Sequence, residues 1–235
     1  MDVNRDVIIA CDFGCEADAL SFLDKFAQCE RKPFVKIGME LFYGAGPDIV
    51  RRIKDRGHRI FLDLKLHDIP NTVCKTMKVL SRLDVDMTNL HAAGTIDMMK
   101  AALDGLTRPD GKRALLIAVT QLTSTSQQRM NDELLIPSSM QDVICQYAFN
   151  ARQAGLDGVV CSPLESSMVK ERCGRNFLTV TPGIRFADSA SDDQVRITTP
   201  GRAREIGSDF IVVGRPITAA ADPVAAYLRC VKEFI

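Results

Sequence analysis

A (β/α)8 TIM barrel is the α/β architecture expected of this chain, on three observations. Short apolar runs alternate with helical patterns along the sequence, and the alternation counts to eight units. The runs are apolar on both faces, as in a parallel sheet covered on both sides. The length of 235 residues suits eight such units, whereas an open doubly wound sheet more often has about five or six strands. No linker, low-complexity stretch or composition shift divides the chain, so residues 1–235 are read as one barrel domain.

The units run as follows. A strand over 7–12 (VIIACD) leads to a helix over 17–30. Residues 34–37 precede Gly38, and a helix covers 47–56 with proline near its first turn. A third strand at 60–64 is followed by a helix from 71 to 83. A strand over 87–91 leads to a helix over 96–106. The run 114–119 (ALLIAV) is the most strand-like, and a helix over 141–154 follows it. Residues 156–161 precede a helix over 164–173. A strand at 178–181 precedes a short helix at 202–206. The run FIVV, 210–213, comes last and is closed by a helix over 223–234. Two loops, 120–140 and 182–201, exceed the usual lengths. Long loops in compact folds are usually functional, and both would lie at the C-terminal barrel face.

Charge excludes several function classes. Thirty Lys+Arg balance thirty Asp+Glu, so the basic surplus of a nucleic-acid binder is absent. Hydrophobic residues make up 46%, enough for a large core rather than a disordered chain. The first apolar run follows Asp2 and Asp6 instead of a basic start, unlike a signal peptide. No apolar run approaches the ~18 residues of a membrane span. A cytoplasmic protein without a membrane partner is expected. None of the eight cysteines forms a Cys-x-x-Cys pair and there are three histidines, so no metal site is expected. The cysteines read as reduced thiols, with Cys11 and Cys161, near strand ends, the candidates for reactivity.

The chemistry gathers at strand ends. Asp12 ends the first strand and Lys36 stands near the end of the second. The third gives Asp63-Leu64-Lys65-Leu66-His67-Asp68. Residues two apart on a strand share a face, so Asp63 and Lys65 point together. On the barrel interior they would bring a carboxylate and an ammonium to its mouth, with Lys36 and Asp68 extending the set. Such charges are costly to bury unless paired, which marks a site. Thr181-Pro182-Gly183-Ile184-Arg185 follows the seventh strand and Val213-Gly214-Arg215-Pro216-Ile217-Thr218 the eighth. Loops after these strands commonly hold phosphate: glycine lets backbone N–H groups approach, and arginine supplies a fork of donors. No Gly-x-x-x-x-Gly-Lys or Gly-x-Gly-x-x-Gly occurs, so a nucleoside triphosphate or dinucleotide is not indicated. His91, ending the fourth strand, reads as a neutral histidine supporting its neighbours.

The segment Asp63-Leu64-Lys65-Leu66-His67-Asp68-Ile69-Pro70-Asn71-Thr72 resembles the signature of the orotidine 5′-phosphate decarboxylase family. So do Lys36-Ile37-Gly38, Thr120-Gln121-Leu122-Thr123-Ser124 and the blocks ending in Arg185 and Ile217. They occur in family order along nearly the whole chain, whose length resembles the compact bacterial form without a fused transferase. Asp-x-Lys-x-x-Asp alone is shared with Mg-dependent sugar-phosphate lyases and synthases of the superfamily. These form the alternative reading, together with a nucleotide-binding barrel that has lost catalysis.

The resemblance implies a cofactor-free decarboxylation of orotidine 5′-monophosphate to uridine 5′-monophosphate. Lys65 would protonate C6 as CO2 departs, with Asp63 beside the substrate carboxylate and Lys36 holding the charge array and ribose. Asp12 would bind the ribose hydroxyls, and Thr123 would lie in the pyrimidine pocket. Pro182, Arg185, Gln194, Gly214 and Arg215 would hold the phosphate end. Asp68, with Ile69 and Thr72 nearby, would cross a homodimer interface into the partner's site. Two positions depart from the family pattern. Cys11 stands where leucine is common, and Thr95, in His91-Ala92-Ala93-Gly94-Thr95, where a second glycine is usual.

Overall fold

Eight runs of β-branched and apolar residues form parallel strands that close on themselves in the order β1 to β8. The computed structural model describes residues 5–187 and 198–235. The strands are β1 (Asp6–Cys11), β2 (Phe34–Gly38), β3 (Arg59–Leu66), β4 (Met87–His91), β5 (Leu115–Val119), β6 (Gly158–Val160), β7 (Leu178–Thr181) and β8 (Phe210–Val213). Closure comes from pairing of β1 with β8, in the register Asp6↔Phe210 to Ile9↔Val213.

The side chains sort into two apolar layers, as the two-residue period of a strand requires. Ile8, Phe34, Phe61, Met87, Ile117, Val180 and Phe210 fill the barrel interior. Ile9, Val35, Leu62, Leu90, Leu116 and Val213 face outward and pack under the helices. Cys11 belongs to this outer layer and is fully buried. The departure at that position therefore lies behind the barrel wall. Burial pushes the Cys11 thiol up to about 12, and Cys161 is likewise buried and raised. Neither is a low-pKa thiolate.

The covering helices are α1 (Glu16–Asp24), α2 (Met39–Ala45), α3 (Asp48–Lys54), α4 (Pro70–Leu80), α5 (Thr95–Leu106), α6 (Gln127–Asp132), α7 (Met140–Gln153), α8 (Ser166–Cys173), α9 (Pro200–Ile206), α10 (Arg215–Thr218) and α11 (Pro223–Phe234). Their ends are set by local chemistry. Asp222 accepts from the N–H of Ala225 at the start of α11, and Ser139 from that of Asp142 at the start of α7. Pro70 takes the first turn of α4, where its missing N–H costs nothing.

Three short helices were not expected from periodicity. α2 directly follows β2, α6 lies within the predicted loop 120–140, and α10 directly follows Gly214. The first predicted helix, over 17–30, ends at Asp24 and gives way to turns. Among the described residues, no helix is long and apolar enough to cross a membrane.

Candidate active site

β3 runs two residues past its predicted end. Leu62 pairs with Thr88 and Leu66 with Leu90, so Asp63, Leu64 and Lys65 together oppose Asn89 alone. This bulge gives Lys65 a φ of +51°, in the left-handed region, and keeps its side chain beside Asp63. Backbone in such regions costs on the order of 1–3 kcal/mol and persists where its surroundings hold it.

Four charges line up across three strands. Lys65 Nζ lies 2.7 Å from Asp63 Oδ1. Lys36 Nζ lies 3.4 Å from Asp63 Oδ2 and 2.7 Å from Asp12 Oδ1. The order is carboxylate, ammonium, carboxylate, ammonium. Asp63 and Lys36 are buried. Burial opposes the charge on Asp63, but Lys36 and Lys65, with hydrogen bonds from Lys65 and Asn89, outweigh it and hold the carboxyl below its usual range. Burial likewise opposes the charge on Lys36, and Asp63 and Asp12 outweigh it, so its pKa is raised.

Two cavities meet at this row. One, of about 480 Å³, is lined by Asp12, Lys36, Pro182, Gly183, Arg185, Gly214 and Arg215. The other, of about 150 Å³, is lined by Lys36, Asp63, Lys65, Thr123 and Pro182 with Phe61, Val119, Gln121, Val160 and Cys161. Lys36, Pro182 and Val212 border both. One cavity thus ends in two arginines and the other in mostly apolar walls.

Local backbone builds the arginine end. Gly183 turns the chain after β7 with a φ of +82°, which favours glycine. The ends of the loop that follows are tied together: Arg185 N–H donates to Thr198 O at 2.9 Å, and Thr198 N–H to Gly183 O at 3.0 Å. Gly38 solves a different problem, because a Cβ there would stand 3.1 Å from both Asp12 Oδ1 and Lys36 Nζ.

Three other expected site residues lie elsewhere. Asp68, Ile69 and Thr72 are exposed at the start of α4 and border neither cavity, with Ile69 67% exposed. Gln194 lies outside the described residues. His91 is half-buried, its ring centroid 5.7 Å from that of His67. Burial and then the charges of His67 and Lys65 lower its pKa. Among the described residues, no group of three or more His, Cys, Asp and Glu could hold a metal ion. Gln121 and Asn89 were missed as site residues; Gln121 at least falls inside the quoted Thr120–Ser124 block.

Fold and mouth together define a class: a closed (β/α)8 barrel with an alternating carboxylate–ammonium row at its strand ends. Residues 5–230 match the model of the orotidine 5′-phosphate decarboxylase / HUMPS family. The orotidine 5′-phosphate decarboxylase of Geobacillus sp. (strain WCH70) is 52% identical over 235 residues, covering 99% of this chain and 98% of its own. That of Streptococcus thermophilus (strain ATCC BAA-491 / LMD-9) is 56% identical over 227 residues, covering 97% and 96%. The crystal structure of orotidine 5′-phosphate decarboxylase from Lactobacillus acidophilus superposes with a TM-score of 0.88 at 44% identity, covering 98% of this chain and 99% of that one. The chain belongs to the orotidine 5′-phosphate decarboxylase / HUMPS family.

Proposed function

We infer that this chain is a carboxy-lyase that converts orotidine 5′-monophosphate to uridine 5′-monophosphate in pyrimidine nucleotide synthesis. Its family and its relatives, at 52% and 56% identity over nearly the whole chain, support this activity. The observation that carries the mechanism is the row Asp12, Lys36, Asp63, Lys65 at the junction of the two cavities.

Loss of CO2 leaves the electron pair of the broken bond on C6, with no ring carbonyl placed to delocalise it directly. Lys65 Nζ stabilises that pair and delivers the proton that forms the new C6–H bond; solvent then restores the ammonium. An ammonium about 4 Å away supplies about 4 kcal/mol at an effective dielectric of 20, roughly a thousandfold in rate. Very slow reactions need ~23 kcal/mol or more, so Lys65 does not act alone. The fixed charge row adds preorganisation, and remote binding of the phosphate contributes energy that is realised at the reacting carbon.

Asp63 stands beside the substrate carboxylate, and Lys36 and Asp12 take the ribose. Thr123 borders the pyrimidine in the smaller cavity. Pro182 separates the two ends. Arg185, Gly214 and Arg215 hold the phosphate in the larger cavity. Asp68, Ile69 and Thr72 complete the partner's site in a homodimer, which accounts for an exposed isoleucine beside a signature aspartate. The whole chain acts as one domain in the cytoplasm.

The test is an ultraviolet assay of orotidine 5′-monophosphate loss with and without EDTA. Turnover that survives chelation is expected. Turnover that requires Mg²⁺, or tight binding of uridine 5′-monophosphate without turnover, would overturn the reading. Asp63 already faces two ammonium groups, which makes it a poor cation ligand.

A further inference from the structure

We propose that Asn89 is a positioning residue for the decarboxylation, its one buried amide holding both the Lys65 backbone and the Asp63 carboxylate in working geometry. The proposal rests on the reading that Lys65 and Asp63 act at the reacting carbon.

Asn89 sits at the middle of β4, fully buried, and borders neither cavity. Opposite it, the β3 bulge takes the Lys65 N–H out of the strand ladder. A buried N–H without a partner is costly, so this one needs an acceptor. Asn89 Oδ1 accepts it at 2.9 Å. The other end of the same amide, Nδ2, donates to Asp63 Oδ1 at 2.7 Å. The two ends cannot exchange. A backbone N–H can only donate and an ionised carboxylate can only accept, so the amide has one satisfactory orientation.

The consequence reaches the ammonium. Asp63 Oδ1 receives Asn89 Nδ2 and Lys65 Nζ, each at 2.7 Å, while Oδ2 faces Lys36. Asn89 therefore restrains Lys65 at both ends: directly at its backbone, held at φ +51°, and through Asp63 at its side chain. Displacement of a reacting group by about 1 Å costs on the order of a hundredfold in rate. The arginines of the larger cavity lie on the loops after β7 and β8, across the barrel from β4. Loss of Asn89 should thus affect turnover and spare phosphate-end binding.

Two variants separate the roles. Asn89→Ala removes both hydrogen bonds. Asn89→Asp has nearly the same shape and keeps an acceptor for Lys65 N–H, but sets a carboxylate against Asp63. Asp63 is also faced by Lys36 from β2, Lys65 on its own strand and His91 from β4, with Asp12 beyond Lys36. Against these constant neighbours, Asn89→Asp should move the acid limb of the kcat–pH profile upward.

Expected for Asn89→Ala is a fall in kcat of about a hundredfold, with affinity for uridine 5′-monophosphate essentially unchanged. Folding is checked by circular dichroism. Wild-type kcat in folded Asn89→Ala would overturn the proposal. If that variant does not fold, wild-type kcat with an unmoved acid limb in Asn89→Asp would overturn it instead. Lys65→Ala, assayed alongside, keeps the two levels apart. An active Lys65→Ala sinks the reading of the site, whereas an inactive Lys65→Ala beside fully active Asn89 variants sinks this proposal alone.

Discussion

Lys65 meets Asp63 at 2.7 Å across a bulge that turns the lysine backbone to a φ of +51°. The lysine cannot be displaced along its strand without breaking that contact and the bond from its N–H to Asn89. Charge placement at the barrel mouth is thus a property of the β3–β4 pair, and consequences follow for neighbouring residues.

Gly38→Ala should damage the site while leaving the fold intact. The added Cβ would stand 3.1 Å from Asp12 Oδ1 and Lys36 Nζ, so both groups must shift by a few tenths of an ångström and their contact is disturbed. A charged hydrogen bond contributes about 1.5–3 kcal/mol, so kcat/KM should fall by about tenfold or more. Steady-state kinetics and a thermal melt check this: the rate should drop while Tm stays near the parent value.

Arg215→Ala should lower kcat/KM for the phosphorylated substrate by about tenfold or more, from loss of a charge-assisted contact. Orotidine, which lacks the phosphate, should react equally with both proteins. A parallel loss on orotidine would show that Arg215 acts on something other than the phosphate.

Thr95→Gly should stabilise the protein. Thr95 has φ +72° and ψ 171°, a region used essentially by glycine. Relief of about 1–3 kcal/mol of strain outweighs the roughly 0.5–1 kcal/mol cost of glycine in a helix. Scanning calorimetry should register a Tm increase of about 2–4 °C for each kcal/mol gained.

Acid should destabilise the fold in two windows. Burial, the largest cause for both, lowers the pKa of His58 and His91 from 6.5. Below about that pH the unfolded imidazoles bind protons that the folded ones refuse, so stability falls. Asp63 is depressed from 3.8, so its contribution is full above 3.8 and is lost as pH drops through the lower folded value. Lys36 has the opposite sign. Its contribution is present below 10.5 and is lost as pH rises through its raised folded value. Urea unfolding from pH 8 down to about pH 2 checks the two acid windows, and Asp63→Asn should shrink the lower one, which Asp24 shares.

Much of this was legible in the residues. The eight strands follow from apolar runs, and the Asp63–Lys65 contact from a two-residue period. Lys36, Asp63 and Lys65 were readable as one set of charges at strand ends, whereas Asp12 reads as a ribose ligand and its ion pair with Lys36 was not foreseen. Asn89 was not, because its role depends on a register shift between β3 and β4, and register is a tertiary property. Likewise α2 and α6, of seven and six residues, are too short for a helical period to emerge from flanking loops. Asp68, expected in the charge set by reaching across to a partner, stands exposed at the start of α4 in the single chain, since β3 ends at Leu66 and the chain turns away.

The most direct measurement is the rate of orotidine 5′-monophosphate decarboxylation by Lys65→Ala, alongside its affinity for uridine 5′-monophosphate. Loss of at least about a thousandfold in kcat is expected, with binding of the product nucleotide retained through the larger cavity. Full activity in Lys65→Ala would contradict the account.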